Sequence, residues 1–378
     1  MLRQTRIAPR VLERDAFGAL IDRLAADGRR VIGPTRRDGA IVYAEIAGEK
    51  DLPAGWGDEQ AAGRYRLRPR ADKALFGYAV GPDSWKRWLR PPRRTLWRAK
   101  RTNGSFEIVR DDADAAKLAF LGVRACELAA VAALDDALLA GPHPDKAYAA
   151  RRANALLVAV NCGSPAGGCF CVSMKTGPKA QAGFDLALTE IIDANGHRFM
   201  VEAGSDAGVG VLAALPTRKA RQADLAAASA VIDGARERMG RTLDTDGLKQ
   251  RLADRPQDRG WDRIAERCLA CGACTQVCPT CFCATVEDHT SLSGNEAERV
   301  EVWDSCFTGR FSELGGGQVR ETTAARYRQW MTHKLSSWHD QFGTSGCVGC
   351  GRCIAWCPVG IDITEEAAAV GAPPEDRT

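Results

Sequence analysis

The sequence predicts an α+β protein in which an N-terminal α/β domain is followed by a mostly α-helical, cysteine-rich domain. Three observations predict it. Short apolar runs alternate with helical segments up to about residue 215, the pattern of a sheet with helices on its faces. From about residue 216 the texture changes to charged, alanine-rich helix with no strand pattern. Eleven of the fifteen cysteines then fall between residues 256 and 370, in tight runs. The chain therefore divides into an α/β domain over 1–215, a helical linker over 216–255, a cysteine-rich domain over 256–370 and a disordered tail, GAPPEDRT, over 371–378.

Taken in order, residues 11–27 place apolar side chains at helical spacing, and residues 29–46 read as two short strands around an Arg-Asp-Gly turn. The apolar segments 116–123 and 155–161 have the composition of buried strands, and the first is followed by a helical segment over 125–140. Residues 197–205 add another strand. Beyond the linker, TAARYRQWMTHKLSSWHDQF, residues 323–342, reads as a long helix between the two cysteine runs.

With 378 residues, 45% of them hydrophobic and 26% charged, the chain is long enough for two soluble domains. A net charge of +4 is too small to indicate nucleic acid unless the basic residues cluster. No stretch approaches the roughly 18 apolar residues of a membrane span, and the first residues lack the apolar core of a signal peptide, so a cytoplasmic, non-membrane protein is expected. Fifteen cysteines, an odd number at tight spacings with no export signal, point to metal ligands in a reducing compartment and away from disulfides.

Cys268, Cys271, Cys274 and Cys278 lie in CLACGACTQVCP; Cys347, Cys350, Cys353 and Cys357 lie in CVGCGRCIAWCP. Both are C-x2-C-x2-C-x3-C followed by proline, the spacing of ferredoxins that hold two [4Fe-4S] clusters. Three thiolates two residues apart can wrap one face of a cubane while loop N–H groups point at its sulfides; the fourth lies out of reach and ligates the other cluster. That assigns Cys268, Cys271, Cys274 and Cys357 to cluster 1 and Cys347, Cys350, Cys353 and Cys278 to cluster 2. Zinc sites use two separated pairs and have no need of the further cysteines at these offsets. The 68 residues between the runs leave room for a long helix, so a helical, ferredoxin-type 2×[4Fe-4S] dicluster module is expected, tied together through iron and dependent on it for folding.

Four more cysteines, Cys126, Cys162, Cys169 and Cys171, leave predicted strands in turn-rich segments where Gly163, Pro165, Gly167 and Gly168 let backbone approach closely. They form a candidate third [4Fe-4S] site, set against the alternative of small buried thiols. If only three reach the cluster, Glu127 is a candidate fourth ligand, and an open iron there defines a rival reading: an enzyme that binds substrate at this site. Cys281, Cys283 and Cys306 are assigned to no cluster. No G-x-G-x-x-G follows a strand and no Walker-type loop is present, so no dinucleotide site is expected.

Residues 85–101, WKRWLRPPRRTLWRAKR, hold eight Lys or Arg and three Trp. The mild overall charge favours a docking surface or a solvated helix face over nucleic acid. Lys86, Arg90 and Arg93 are the expected contacts to an acidic partner.

The segments RVEVWDSCF, RYRQWMTHKL and FGTSGCVGCGRCIAWCPVGIDI, with GPDSWKRWLRPPR, GVRACELAA, NCGSPAGGCFCVSMKTGP and GFDLALTEI in the first half, resemble the iron–sulfur beta subunit of cytoplasmic [NiFe] sulfhydrogenases and NAD(P)-linked hydrogenases over nearly the whole chain. They are similar also to the electron-transfer subunit of anaerobic sulfite reductase. The resemblance implies an electron-transfer role without catalysis of its own. The chain would carry single electrons between a flavin subunit that handles NAD(P)H and the hydrogenase small and large subunits, or sulfite reductase subunits in the alternative.

Overall fold

The computed structural model describes residues 7–110 and 116–371. Its N-terminal half is built on an eight-stranded sheet in the order Thr217–Lys219, Arg10–Glu13, Gly196–Ala203, Leu186–Asp193, Ala155–Val160, Leu118–Val123, Arg30–Arg37, Ala40–Glu45. The four strands Leu186–Asp193, Ala155–Val160, Leu118–Val123 and Arg30–Arg37 run parallel, and the outer strands are antiparallel. Alternation across the pleat makes two cores. Ala119, Leu121, Val158, Val160 and Leu188 face the helix Gly18–Ala26, whereas Leu118, Phe120, Val123, Leu157 and Ala159 face the helix Ala125–Leu139. Strands covered on both sides are continuous apolar runs, which is why 116–123 and 155–161 were readable.

Some expectations are corrected. The helix expected over 11–27 begins only at Gly18, because Arg10–Glu13 is a strand. Val11 and Leu12, both fully buried, are hydrogen-bonded into ladders on both sides, and that pairing overrides the helical spacing. The two strands around Asp38 and Gly39 form as expected, with φ of 51° and 77° at the turn. The strand pattern does not stop at 216: Thr217–Lys219 closes the sheet edge, and the helix Gln222–Glu237 packs on Leu186–Asp193. Asp224, on that helix, accepts from Arg218 at 2.7 Å and Arg198 at 2.9 Å, and these guanidiniums hold its carboxyl well below the usual range. The expected tail over 371–378 begins later than that: Gly371 ends the helix Ile363–Gly371, and 372–378 lie outside the described residues.

The C-terminal half is not as helical as its composition suggests. The segment after the first cysteine run forms a hairpin, Ala284–Thr290 with Glu296–Trp303, which pairs with Arg93–Thr102 and Ser105–Arg110 in a four-stranded sheet. The basic stretch is thus one helical turn, Lys86–Leu89, followed by a central strand. Lys86 and Arg90 are buried: Lys86 Nζ donates to Cys281 O at 2.9 Å and lies 3.9 Å from the centre of the Trp303 ring, while Arg90 donates to Phe282 O at 2.6 Å and pairs with Glu301. Arg93 is exposed and pairs with Glu298 at 3.1 Å. Two of the three residues expected at a partner surface therefore anchor the chain to itself.

Around the cysteine runs the helices Leu248–Ala253, Gly260–Arg267, Thr323–Thr332 and Ile363–Gly371 pack on Trp261, Phe307, Tyr327 and Trp330. The expected long helix is present from Thr323 to Phe342, widened into a π turn over His333–Ser337. Among the described residues no helix is long and apolar enough to cross a membrane.

Candidate iron–sulfur site

The two cysteine runs adopt one local fold. In each, the residue two after the first cysteine is left-handed (Ala270, φ 49°; Gly349, φ 66°), as is the glycine after the second cysteine (Gly272, φ 72°; Gly351, φ 75°). That glycine precedes a single helical turn, Ala273–Gln276 or Arg352–Ala355, carrying the third cysteine. The backbone curls around one point and turns N–H groups toward sulfur: Ala270 N approaches Cys268 Sγ at 3.4 Å and Ile361 N approaches Cys357 Sγ at 3.3 Å.

Cys268, Cys271, Cys274, Cys353 and Cys357 line one apolar cavity, walled by Phe307 and Tyr327. The cavity thus gathers the third and fourth cysteines of the opposite run beside three of the first. Cys353 is raised by burial and by the neighbouring Cys347, Cys350 and Cys278, so this second set also gathers across the two runs. Cys274 and Cys353 line the same cavity, which puts the two sets side by side. Among the described residues no three Cys, His, Asp or Glu side chains converge on a single metal ion. Rings of thiols around a point suit a polynuclear cluster better than one zinc ion, whose four ligands close to about 2.3 Å.

The N-terminal cysteines also meet. Cys126 opens the helix after Leu118–Val123, and Cys162 follows the adjacent parallel strand Ala155–Val160, so both leave the carboxyl end of the sheet, where α/β folds place their ligands. Cys169 and Cys171 join them from the following turns. Cys169 neighbours Cys162 and Cys171, and Cys126 neighbours Cys171. All but Cys162 also neighbour Cys350 of the second run. Burial pushes Cys171 up to about 12 and raises Cys126 and Cys169 as well, so these thiols stay protonated at neutral pH unless metal binding takes the proton.

Glu127 is not free to act as a ligand. Its Oε1 accepts from Arg352 at 2.5 Å, and its Oε2 accepts from Tyr43 at 2.9 Å, Trp85 at 3.0 Å and the Arg124 N–H at 3.1 Å. Arg352, fully buried, also donates to Gly81 O and Asp83 O, and its Nη1 has no hydrogen-bond partner among the described residues. Its guanidinium lies against Cys350. A buried cation with a spare donor at a thiol ring fits an anionic cluster.

Sequence reasoning gave no role to Cys281, Cys283, Cys306 or Lys334. Cys281 donates to Cys278, which holds Cys278 well below the usual thiol range and Cys281 above it. Cys283 pairs with Cys306 at the base of the hairpin, and that contact lowers Cys283 to about 7 and raises Cys306. Lys334 sits inside, donating to Thr280 Oγ1 at 3.0 Å. A lysine in line with Met331, Leu335 and Trp338 at helical spacing was the one available signal for it.

Residues 267–361 match the family of 4Fe-4S dicluster domains, which indicates [4Fe-4S] clusters in the region where the two runs meet. Over 360 residues the chain is 32% identical to sulfhydrogenase 2 subunit beta of Pyrococcus furiosus, a match that covers 93% of this chain and 95% of that protein. No solved structure matches. The match takes in the α/β half and its cysteines as well as the dicluster region, and on that extent the chain belongs to the family of sulfhydrogenase beta subunits.

Proposed function

We propose that this chain relays single electrons within a hydrogenase complex of the sulfhydrogenase type. Two [4Fe-4S] clusters sit on the crossed ligand sets Cys268, Cys271, Cys274, Cys357 and Cys347, Cys350, Cys353, Cys278, and a third on Cys126, Cys162, Cys169 and Cys171. The observation that carries the reading is the cavity that brings Cys357, with Cys353 beside it, to Cys268, Cys271 and Cys274 of the first run. Three thiol sets then follow one another: the N-terminal set beside Cys350, the second set beside Cys274, and the first set reaching the surface at the exposed Cys271.

Such clusters exchange one electron at a time, while NAD(P)H delivers two as hydride, so a flavin subunit divides the pair and the hydrogenase small and large subunits receive the electrons. The protein's own part is to keep water away and to fix donors around sulfur, which set the potential. The burial of Cys126, Cys169 and Cys171 supports a relay site and weighs against substrate access there. A thiol-rich chain of this kind belongs in a reducing compartment, the cytoplasm.

Iron and acid-labile sulfide on anaerobically purified protein test the reading, with EPR of the dithionite-reduced form. The expected content is about twelve of each per chain, falling to about eight in Cys126→Ala/Cys171→Ala, with the dicluster signals kept. About eight in the unaltered protein would remove the third cluster. Loss of both dicluster signals is expected in Cys357→Ala, since it ligates one cluster and ends the run that holds the other.

A further inference from the structure

Lys334 is only 3% exposed, and its ammonium has no carboxylate at ion-pair distance among the described residues. Its polar neighbours are Thr280 Oγ1 at 3.0 Å and Gly346 O at 3.5 Å. One hydroxyl and one distant carbonyl do not offset the loss of hydration of a buried ammonium; an opposite charge has to lie close by. The groups around Lys334 that can carry it are sulfurs: Cys278 from the first run and Cys347 from the second. Thr280 completes the arrangement, its Oγ1 lying 3.2 Å from Cys278 Sγ and 2.7 Å from Gly346 O.

The backbone is shaped for this placement. Lys334 lies in the π turn His333–Ser337, a local widening of the helix that recurs at functional sites, and Gly346 N returns to Lys334 O at 2.9 Å just before Cys347. The turn and the start of the second run are thereby fixed to each other. The cavity of the first set is lined by no lysine or arginine.

We propose that Lys334, which unlike Arg352 has no carboxylate among the described residues to neutralise it, is a buried counter-charge of the second cluster, raising its reduction potential above that of the first and so making it the electron-accepting member of the pair. The inference rests on the crossed ligand sets proposed above. A fixed positive charge beside a cluster favours the form with one more electron, and in a low-dielectric interior that preference is large.

The experiment is an EPR-monitored redox titration of the whole purified chain, with iron and sulfide counted on the same samples. In Lys334→Met the signal assigned to the second cluster is expected to need a lower potential. At any fixed potential its reduced-to-oxidised ratio should fall at least tenfold, about 59 mV for a one-electron couple, while the first cluster's midpoint stays in place. Lys334→Gln, which retains hydrogen-bonding capacity toward Thr280 and Gly346, is the second neutral variant should the methionine protein fail to fold. Lys334→Arg keeps the charge and should keep the potential.

Two dicluster signals with unmoved midpoints in the neutral variants would overturn the role of Lys334 and leave the ligand assignment standing. Equal shifts of both clusters would overturn it too, since they would report a general loosening. Fewer than two dicluster signals in the unaltered protein would overturn the ligand assignment, and this inference with it.

Discussion

The two cysteine runs share spacing and backbone but differ in what surrounds them. Leu269, after the first cysteine of the first run, is 64% exposed; its counterpart Val348 is 4% exposed. Cys271 is exposed and Cys350 buried. Where the first run has Ala270 and Ala273, the second has Gly349 and Arg352. A Cβ on Gly349 would lie 2.6 Å from backbone atoms of Phe170, and one on Gly351 would lie 2.5 Å from those of Gly168. Phe170 N donates to Gly349 O at 2.8 Å. The second run is thus built backbone-to-backbone into the α/β half, and the first is left facing outward. Identical ligand spacing thus sits in two settings: one run fixed in the protein, the other facing outward.

The largest break in this asymmetry is at Arg352. Arg352→Met would leave the Glu127 carboxylate buried without its cation, and breaking one side of a buried pair costs about 3–5 kcal/mol. Chemical denaturation of the cluster-loaded protein should show a loss of that size, with partial recovery in the double variant Arg352→Met/Glu127→Gln. Ala273→Met, at the matching place in the first run, should change stability by far less. Equal losses at the two positions would remove the proposed difference between the runs.

Next comes the backbone contact. Gly351→Ala adds a methyl against Gly168 at a residue with φ of 75°, so left-handed strain of about 1–2 kcal/mol is compounded by an overlap costing about 1–3 kcal/mol. The matching Gly272→Ala carries the same strain, but its methyl meets Ser305 Oγ at 3.1 Å and Cβ at 3.3 Å, a looser approach than the 2.5 Å to the Gly168 backbone. Thermal unfolding and iron content should therefore fall further for Gly351→Ala, and the N-terminal cysteines should become more reactive to a thiol reagent in that variant alone.

What the sequence disclosed follows from the range of the interactions. The cysteine runs were legible because a cluster imposes its spacing within a dozen residues, and the parallel strands because burial on both faces leaves an uninterrupted apolar run. The Arg352–Glu127 pair spans 225 positions and leaves no local trace. Lys86 was misread for the same reason: its neighbours Trp303 and Cys281 come from the far end of the chain, so a buried lysine looked like a surface one. Thr217–Lys219 was missed because three residues are too few to show alternation; only the ladder to Arg10–Leu12 makes them a strand.

The smallest expected effect sharpens the comparison most directly. Ala270 occupies the left-handed position that Gly349 holds in the second run, and with φ of 49° its Cβ crowds its own backbone. Nothing in the first run requires glycine there for packing, so the strain is local. Ala270→Gly should relieve it and stabilise the folded protein, against the extra freedom that glycine adds to the unfolded chain, about 0.4–1 kcal/mol. The net gain is therefore about 0–1.6 kcal/mol, read as a small rise in midpoint with iron content unchanged. Gly349→Ala, the reverse exchange in the second run, should lose both stability and iron, because there the same left-handed position is also a backbone contact. A first-run variant that loses iron would mean that Ala270, too, packs against something essential, and that the outward run is held as tightly as the inward one.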